Sequence, residues 1–84
     1  MSSARVRLPR GLDDLLRSEM EICIEQANLG RDDTEIAKRY LIDQWPQIDI
    51  AAEFGWTRST VSIHVSRIVP KVENTAVSLR MTKI

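Results

Sequence analysis

Residues 47–66 constrain the fold of this chain more than any other stretch. Apolar residues at helical spacing stop at Gly55, and glycine readily adopts the left-handed backbone conformation of a tight turn between helices. Thr57 then offers a hydroxyl that can cap a second helix. Apolar residues recur in that second helix at spacings of four and three, which predicts a buried face. These residues are Val61, Val65 and Ile68. The stretch therefore predicts a helix-turn-helix.

The opposite side of the second helix is short and polar, with one arginine. Such a side can enter a DNA major groove without its own bulk blocking entry. We therefore predict residues 57–68 as a recognition helix, with Arg58 making a bidentate contact to guanine. The residues expected to line the groove are Ser59, Ser62, Ile63 and Ser66. The residues expected to hold phosphates and set the register are Gln47, Thr57, Thr60 and Arg67.

The charges are unevenly distributed although the formal net charge is zero. Residues 1–10 carry +3, residues 11–35 carry −6, residues 36–53 carry −1 and residues 54–84 carry +4. DNA binding responds to the local potential at the phosphates rather than to net charge, so this distribution favours a nucleic-acid partner. The alternative is a solvated acidic face on a neutral protein.

Length and composition exclude several other classes of protein. A chain of 84 residues makes one domain, with little room for a catalytic cleft, so we do not expect an enzyme. Cys23 and His64 are the single cysteine and histidine, which argues against a metal site, and we expect no cofactor. The lone cysteine fits a reducing cytoplasm, and no signal peptide or membrane-spanning run is recognisable. We expect a cytoplasmic protein.

Two further helices are predicted before the motif, over residues 12–28 and 32–43. In the first, Asp13 and Asp14 would lie in the first turn, and Gly30 would end the segment. Its apolar stripe is Leu12, Leu16, Met20, Cys23 and Ala27, widened by Leu15 and Ile24. In the second, Asp32 or Asp33 would be the cap, and Asp32 and Glu35 have the spacing of a capping box. Its apolar residues are Ile36, Ala37, Tyr40 and Leu41, with Lys38 and Arg39 pointing away. The sequence thus predicts an all-α fold with a three-helix core.

The two ends of the chain are harder to interpret. Residues 1–10 form a basic arm whose Arg5 and Arg7 could enter a minor groove, although a frayed terminus explains them equally well. Residues 70–84 continue the helical spacing past Pro70, which favours a short helix, but alternating apolar residues near the end are typical of a strand. Either form leaves an apolar strip exposed, so we predict a dimerisation tail after a DNA-binding domain at 11–69.

The chain resembles the TrfB/KorA family of small repressors from broad-host-range plasmids over residues 34–69. The matching elements are Glu35-Ile36-Ala37, Leu41-x-Asp43, Pro46-Gln47, Gly55-x-Thr57-Arg58, Val61-Ser62 and Val65-x-Arg67. In size the chain is closer to the KorC-like repressors of the same plasmid systems. The resemblance implies a homodimeric, all-α repressor that binds a palindromic operator and excludes RNA polymerase, with possible cooperation from other plasmid regulators.

One residue departs from the family pattern. Ile63 stands where the family has a base-reading glutamine, and it can contact a thymine methyl group but cannot donate a hydrogen bond. We therefore expect a different operator. The alternative function is a protein-interaction module that docks RNA polymerase or another regulator.

Overall fold

The structure, a computed structural model, describes residue 12 and residues 15–79 of the chain, and this part is all-helical. Four α-helices follow one another: α1 (Arg17–Gln26), α2 (Arg31–Ala37), α3 (Gln47–Phe54) and α4 (Arg58–Ser78). A single π-helical turn, Lys38–Ile42, extends α2. The predicted all-α class is confirmed. None of the described helices is long and apolar enough to cross a bilayer.

Helix α4 is the central element, because α1, α2 and α3 all pack against it. Its 21 residues span roughly 31 Å at the α-helical rise. One continuous core joins all four helices and the π turn. The largest fully buried side chains in it are Leu12, Ile24, Ile36, Ile50, Ile68, Val61, Val72 and Cys23. Burial of this apolar surface is the main force that holds the helices together.

Helix α1 is shorter than the sequence predicts, since it begins at Arg17 and ends at Gln26. Leu12 is buried ahead of it, and its carbonyl accepts a hydrogen bond from the Leu15 N–H at 3.2 Å. Leu16 is the N-cap and is 66% exposed, so the prediction that it belongs to the buried apolar stripe is wrong. The Glu19 carboxylate explains the late start, because it accepts a hydrogen bond from the Leu16 N–H at 2.9 Å. The predicted first-turn residues Asp13 and Asp14 lie outside the described residues.

Helix α2 also starts differently, because neither aspartate caps it. Gly30, at φ 95°, is the N-cap residue rather than the end of the preceding helix. The Gly30 carbonyl accepts hydrogen bonds from both the N–H and the hydroxyl of Thr34. The predicted capping box of Asp32 and Glu35 is therefore wrong, and the Asp33 carboxylate contacts His64 instead.

The π turn after α2 brings Arg39 inward, against the prediction that it points away. The Asp43 N–H donates to the Lys38 carbonyl at 3.1 Å, which is the wide spacing of a π-helix. The Arg39 guanidinium lies over the Trp45 ring at 4.9 Å and is 3.8 Å from a carboxylate oxygen of Glu53 on α3. This cation–π contact and ion pair connect the π turn to α3.

Residues 70–78 continue α4 and form neither a separate short helix nor a strand. Pro70 lies within the helix, where it removes one backbone donor. Beyond it, Val72 and Ala76 are fully buried in the core, so packing holds the helix past the proline. The predicted boundary between residues 69 and 70 therefore falls inside one element. Residues 1–10, the predicted basic arm, and residues 80–84, the second half of the strand-like stretch, lie outside the described residues.

Candidate nucleic-acid interface

The turn between α3 and α4 consists of three residues and has the predicted glycine geometry. Gly55 is left-handed at φ 70° and ψ 27°. The Trp56 N–H donates to the Ala51 carbonyl at 2.9 Å and the Gly55 N–H to the Ala52 carbonyl at 3.4 Å, which is the Schellman pattern of a helix end. A Cβ at Gly55 would have no heavy atom within 4 Å, so glycine is favoured by its backbone angles rather than by lack of space.

Thr57 caps α4 as predicted. Its hydroxyl oxygen accepts a hydrogen bond from the Thr60 N–H at 3.2 Å and lies 3.0 Å from the Thr60 hydroxyl. Thr57 is exposed and Thr60 is half-buried, so both hydroxyls stand at the surface of the first turn. An oxygen with remaining lone pairs and a rotatable hydrogen can still meet a phosphate there.

The two faces of α4 divide as the spacing predicts. Val61 and Ile68 are fully buried and Val65 is 7% exposed, and they pack with Ile50 and Ala51 of α3 in the same core. The opposite face is solvent-exposed. Its exposed residues are Arg58, Ser59, Ser62, Ile63, Ser66 and Arg67. The structure thus places most of the predicted contact residues together along one side of α4.

The polar groups on this exposed face make few hydrogen bonds or ion pairs with other described residues. The Ser66 hydroxyl donates to the Ile63 carbonyl at 2.7 Å, which leaves its oxygen able to accept from a ligand. Arg58 makes no ion pair with any residue in the described part of the chain. Its guanidinium, at the first position of α4, is available for an external acceptor.

Gln47 is separate from the other candidates, because it begins α3. Pro46 is the N-cap residue, and its carbonyl accepts from the N–H groups of Asp49 and Ile50 at 3.0 and 3.2 Å. Gln47 is half-buried, and the Asp49 carboxylate lies in the same first turn. That negative charge opposes an incoming phosphate, so Gln47 has less support than the residues of α4.

Three residues beside this face were not predicted as a group: Asp33, Trp56 and His64. The His64 Nδ1 lies 2.7 Å from an Asp33 carboxylate oxygen, which connects α4 to the first turn of α2. The Trp56 ring is 4.9 Å from the His64 ring and 5.0 Å from the ring of Phe54. A sequence separation of 31 residues hides the Asp33–His64 pair from any local pattern.

Charge is segregated between the elements as predicted. Helix α4 carries Arg58, Arg67 and Lys71 against Glu73 alone, and the region from α1 to α2 is acidic. Arg17 offsets part of that acidity through ion pairs with Glu21 and Asp43, both at 3.6 Å. These pairs are largely exposed and contribute little to stability. The potential around α4 is therefore more positive than that around α1 and α2.

Other kinds of site have little support in the described part of the chain. No group of three or more His, Cys, Asp or Glu residues there could hold a metal ion. Two surface grooves lie beside α1 and the π turn, and no residue of α4 lines either of them. No family model, no curated protein and no solved structure matches this chain.

Proposed function

We propose that this chain is a sequence-specific DNA-binding repressor in which α3 and α4 form a helix-turn-helix and residues 57–68 enter the major groove. One observation carries the proposal. The first half of α4 is apolar and buried on one side and short, polar and exposed on the other, directly after a left-handed turn. The resemblance to the TrfB/KorA repressors, which rests on the residues quoted above, supports the same function.

Arg58 is the proposed base-reading residue. It begins α4, is exposed and has no ion pair with a described residue, so its guanidinium can approach a guanine without breaking an existing contact. A bidentate pair to the guanine O6 and N7 acceptors is worth roughly 1–3 kcal/mol of discrimination. Arg58 is therefore the residue expected to contribute most to sequence preference.

Ile63 and its serine neighbours are proposed to line the groove. Ile63 is 60% exposed and lies on the outer face of α4. Its side chain fits a thymine methyl group, and the short side chains of Ser59, Ser62 and Ser66 leave the groove floor accessible. The operator is thus expected to contain both the guanine read by Arg58 and a nearby thymine.

The proposed phosphate contacts come from the edges of the motif. Thr57 and Thr60 present hydroxyls at the first turn of α4, and Arg67 presents a guanidinium two turns later. Gln47, at the start of α3, is the fourth proposed phosphate contact. Such contacts fix orientation and carry no sequence information themselves.

A homodimer completes the proposal, because a palindromic operator presents two half-sites about one helical turn apart, roughly 34 Å. Val72 and Ala76 are buried within the protomer, so deleting residues 70–84 would expose the core. The exposed apolar side chains at the end of α4 are Val77 (61%) and Leu79 (40%). We place the contact with a second copy there.

Sedimentation tests this placement of the dimer contact. The wild type should sediment as two chains and Val77→Asp as a folded single chain, because a carboxylate in an apolar contact is unfavourable. Ala52→Asp adds the same charge on exposed α3 and should stay dimeric. A dimeric Val77→Asp protein would exclude Val77 from the interface.

A mobility shift against the DNA upstream of the protein's own gene, titrated with salt, tests DNA binding. Selective retention with a steep salt dependence supports the repressor. Arg58→Ala should lose operator preference by about 1–3 kcal/mol and keep weak general binding. Arg31→Ala, which removes an exposed arginine on α2, should retain both. Unchanged footprints for Arg58→Ala would refute the proposed role of Arg58.

The second candidate is a protein-interaction module, favoured by the zero net charge of the chain and by the exposed Ile48 and Ile63. Exposed isoleucines suit a protein partner such as a polymerase subunit or another regulator. Absence of any shift at low salt would favour this function over DNA binding.

A further inference from the structure

We infer that His64 is a positioning residue, which keeps Arg67 available for a DNA phosphate by occupying the carboxylate of Asp33. This inference rests on the proposed function, because it concerns how the same face of α4 presents its cation. It adds two residues, Asp33 and His64, that no motif in the sequence assigns to DNA binding. Neither is expected to touch the nucleic acid.

The Asp33–His64 contact fixes a proton on one ring nitrogen. A carboxylate only accepts hydrogen bonds, so an Nδ1 at 2.7 Å from the Asp33 oxygen must carry a hydrogen and donate it. Both side chains are about three-quarters buried, with 24% and 22% exposed. The Trp56 ring packs against the imidazole, with 4.9 Å between the ring centroids, and limits its rotation. His64 is therefore held by contacts on two sides.

Arg67 lies next to this pair without joining it. Its Nη2 is 3.5 Å from the same His64 Nδ1, and two donors cannot hydrogen-bond to each other. The structure contains no ion pair between Arg67 and Asp33. The guanidinium thus stays exposed beside a carboxylate whose Oδ1 already accepts a hydrogen bond from His64.

Loss of the imidazole donor would change the partner of Arg67. A carboxylate without its hydrogen bond, in a half-buried place, would attract the neighbouring guanidinium, and arginine–carboxylate pairs are strong and often bidentate. Arg67 would then face Asp33 instead of the DNA. One phosphate contact would be lost although Arg67 itself is unchanged.

The dependence of DNA affinity on salt measures that contact directly. Each phosphate neutralised contributes about 0.9 to the slope of log affinity against log salt concentration. A random-sequence duplex suffices as the probe, because phosphate contacts do not depend on the operator. The variants are Arg67→Ala, His64→Phe, and His64→Phe combined with Asp33→Asn. Phenylalanine keeps a ring against Trp56 and removes the donor.

We expect the slope to fall by about 0.9 in Arg67→Ala and in His64→Phe, and to recover in the double variant. Recovery follows because Asp33→Asn removes the charge that captures Arg67. Asp32→Asn, on the exposed residue beside Asp33, is the matched control and should not restore His64→Phe. A purely structural role for His64 would lower the stability of His64→Phe, which Asp33→Asn would also relieve, but it would leave the salt slope of the folded protein unchanged.

Two results would overturn the inference: an unchanged slope in His64→Phe, or a loss that Asp33→Asn does not restore. Wild-type protein without salt-dependent binding would instead overturn the proposed function. Nitrogen NMR of the wild type tests the pair independently of any variant's folding, because His64 is the single histidine. A proton on Nδ1 is expected, and a ring protonated on Nε2 alone would disprove the Asp33 contact.

Discussion

The two faces of α4 have different roles although they alternate along one helix. Ile68 is 1% exposed and Ile63 is 60% exposed, and they are the same residue type five positions apart. The buried face continues from Val61 to Ala76, beyond the proposed contact residues, which end at Arg67. Fold stability depends on one face, and the proposed binding depends on the other.

The difference predicts that substitutions in this one helix can change stability and the proposed DNA binding separately. A substitution on the buried face acts through packing, so it should affect every property of the protein. A substitution on the exposed face leaves the core intact, so it should affect only what α4 contacts outside the chain.

The largest expected effect comes from Ile68→Ala. Truncating the buried isoleucine to alanine removes three of its four side-chain carbons and should lower the free energy of unfolding by about 2–5 kcal/mol, because transfer and cavity terms add. Urea unfolding followed by circular dichroism measures this change. Such a loss is a large part of the stability of a small domain.

Ile63→Ala is the matched control for that experiment. Because Ile63 is mostly exposed, its free energy of unfolding should change by no more than about 0.5 kcal/mol. Under the proposed function it should nevertheless weaken binding to thymine-containing operators. Equal destabilisation by both substitutions would show that the two faces are not distinct.

Gly55→Ala tests whether the turn sets the relation between the faces. Alanine at φ 70° should cost roughly 1–2 kcal/mol from the backbone alone, since no atom would clash with the new Cβ. Thermal unfolding measures the change, and Ala52→Gly on exposed α3 controls for composition, with a cost of about 1 kcal/mol from helix propensity. Unaltered stability of Gly55→Ala would mean that the turn can adopt other angles.

The smallest expected effect is a change in the pH dependence of stability, and it comes from Cys23 in the core. Burial, and secondly the Glu19 carboxylate, raise the pKa of the Cys23 thiol above its ordinary value of 9.0. The unfolded thiol therefore releases its proton first, so stability is fully present below that value and declines as pH rises above it. Unfolding measured across this range should show the decline in the wild type and less of it in Cys23→Ala.

The rate at which a thiol reagent labels the native protein gives a second test of the burial of Cys23. A thiol reagent should modify Cys23 slowly in the native protein and rapidly in concentrated urea, because the thiolate is the reactive form and the native side chain is buried. Rapid native labelling would mean that α1 opens readily from α4.

The sequence alone determined the arrangement of α3 and α4. Gly55, the Thr57 cap and the spacing of Val61, Val65 and Ile68 are local signals, and each acts within a few residues of its own position. The exposed face followed from the same spacing. The all-helical class was equally predictable, because periodicity reports helices reliably when the apolar residues are regularly placed.

Tertiary structure decided the remaining features, which depend on contacts between distant residues. Leu12 is buried without being helical, and Asp33 accepts from His64 instead of capping α2. Pro70 favours a break by its local chemistry, yet α4 continues because Val72 and Ala76 are buried beyond it. Local propensity amounts to about a few kcal/mol at such positions, and burial of several apolar side chains outweighs it.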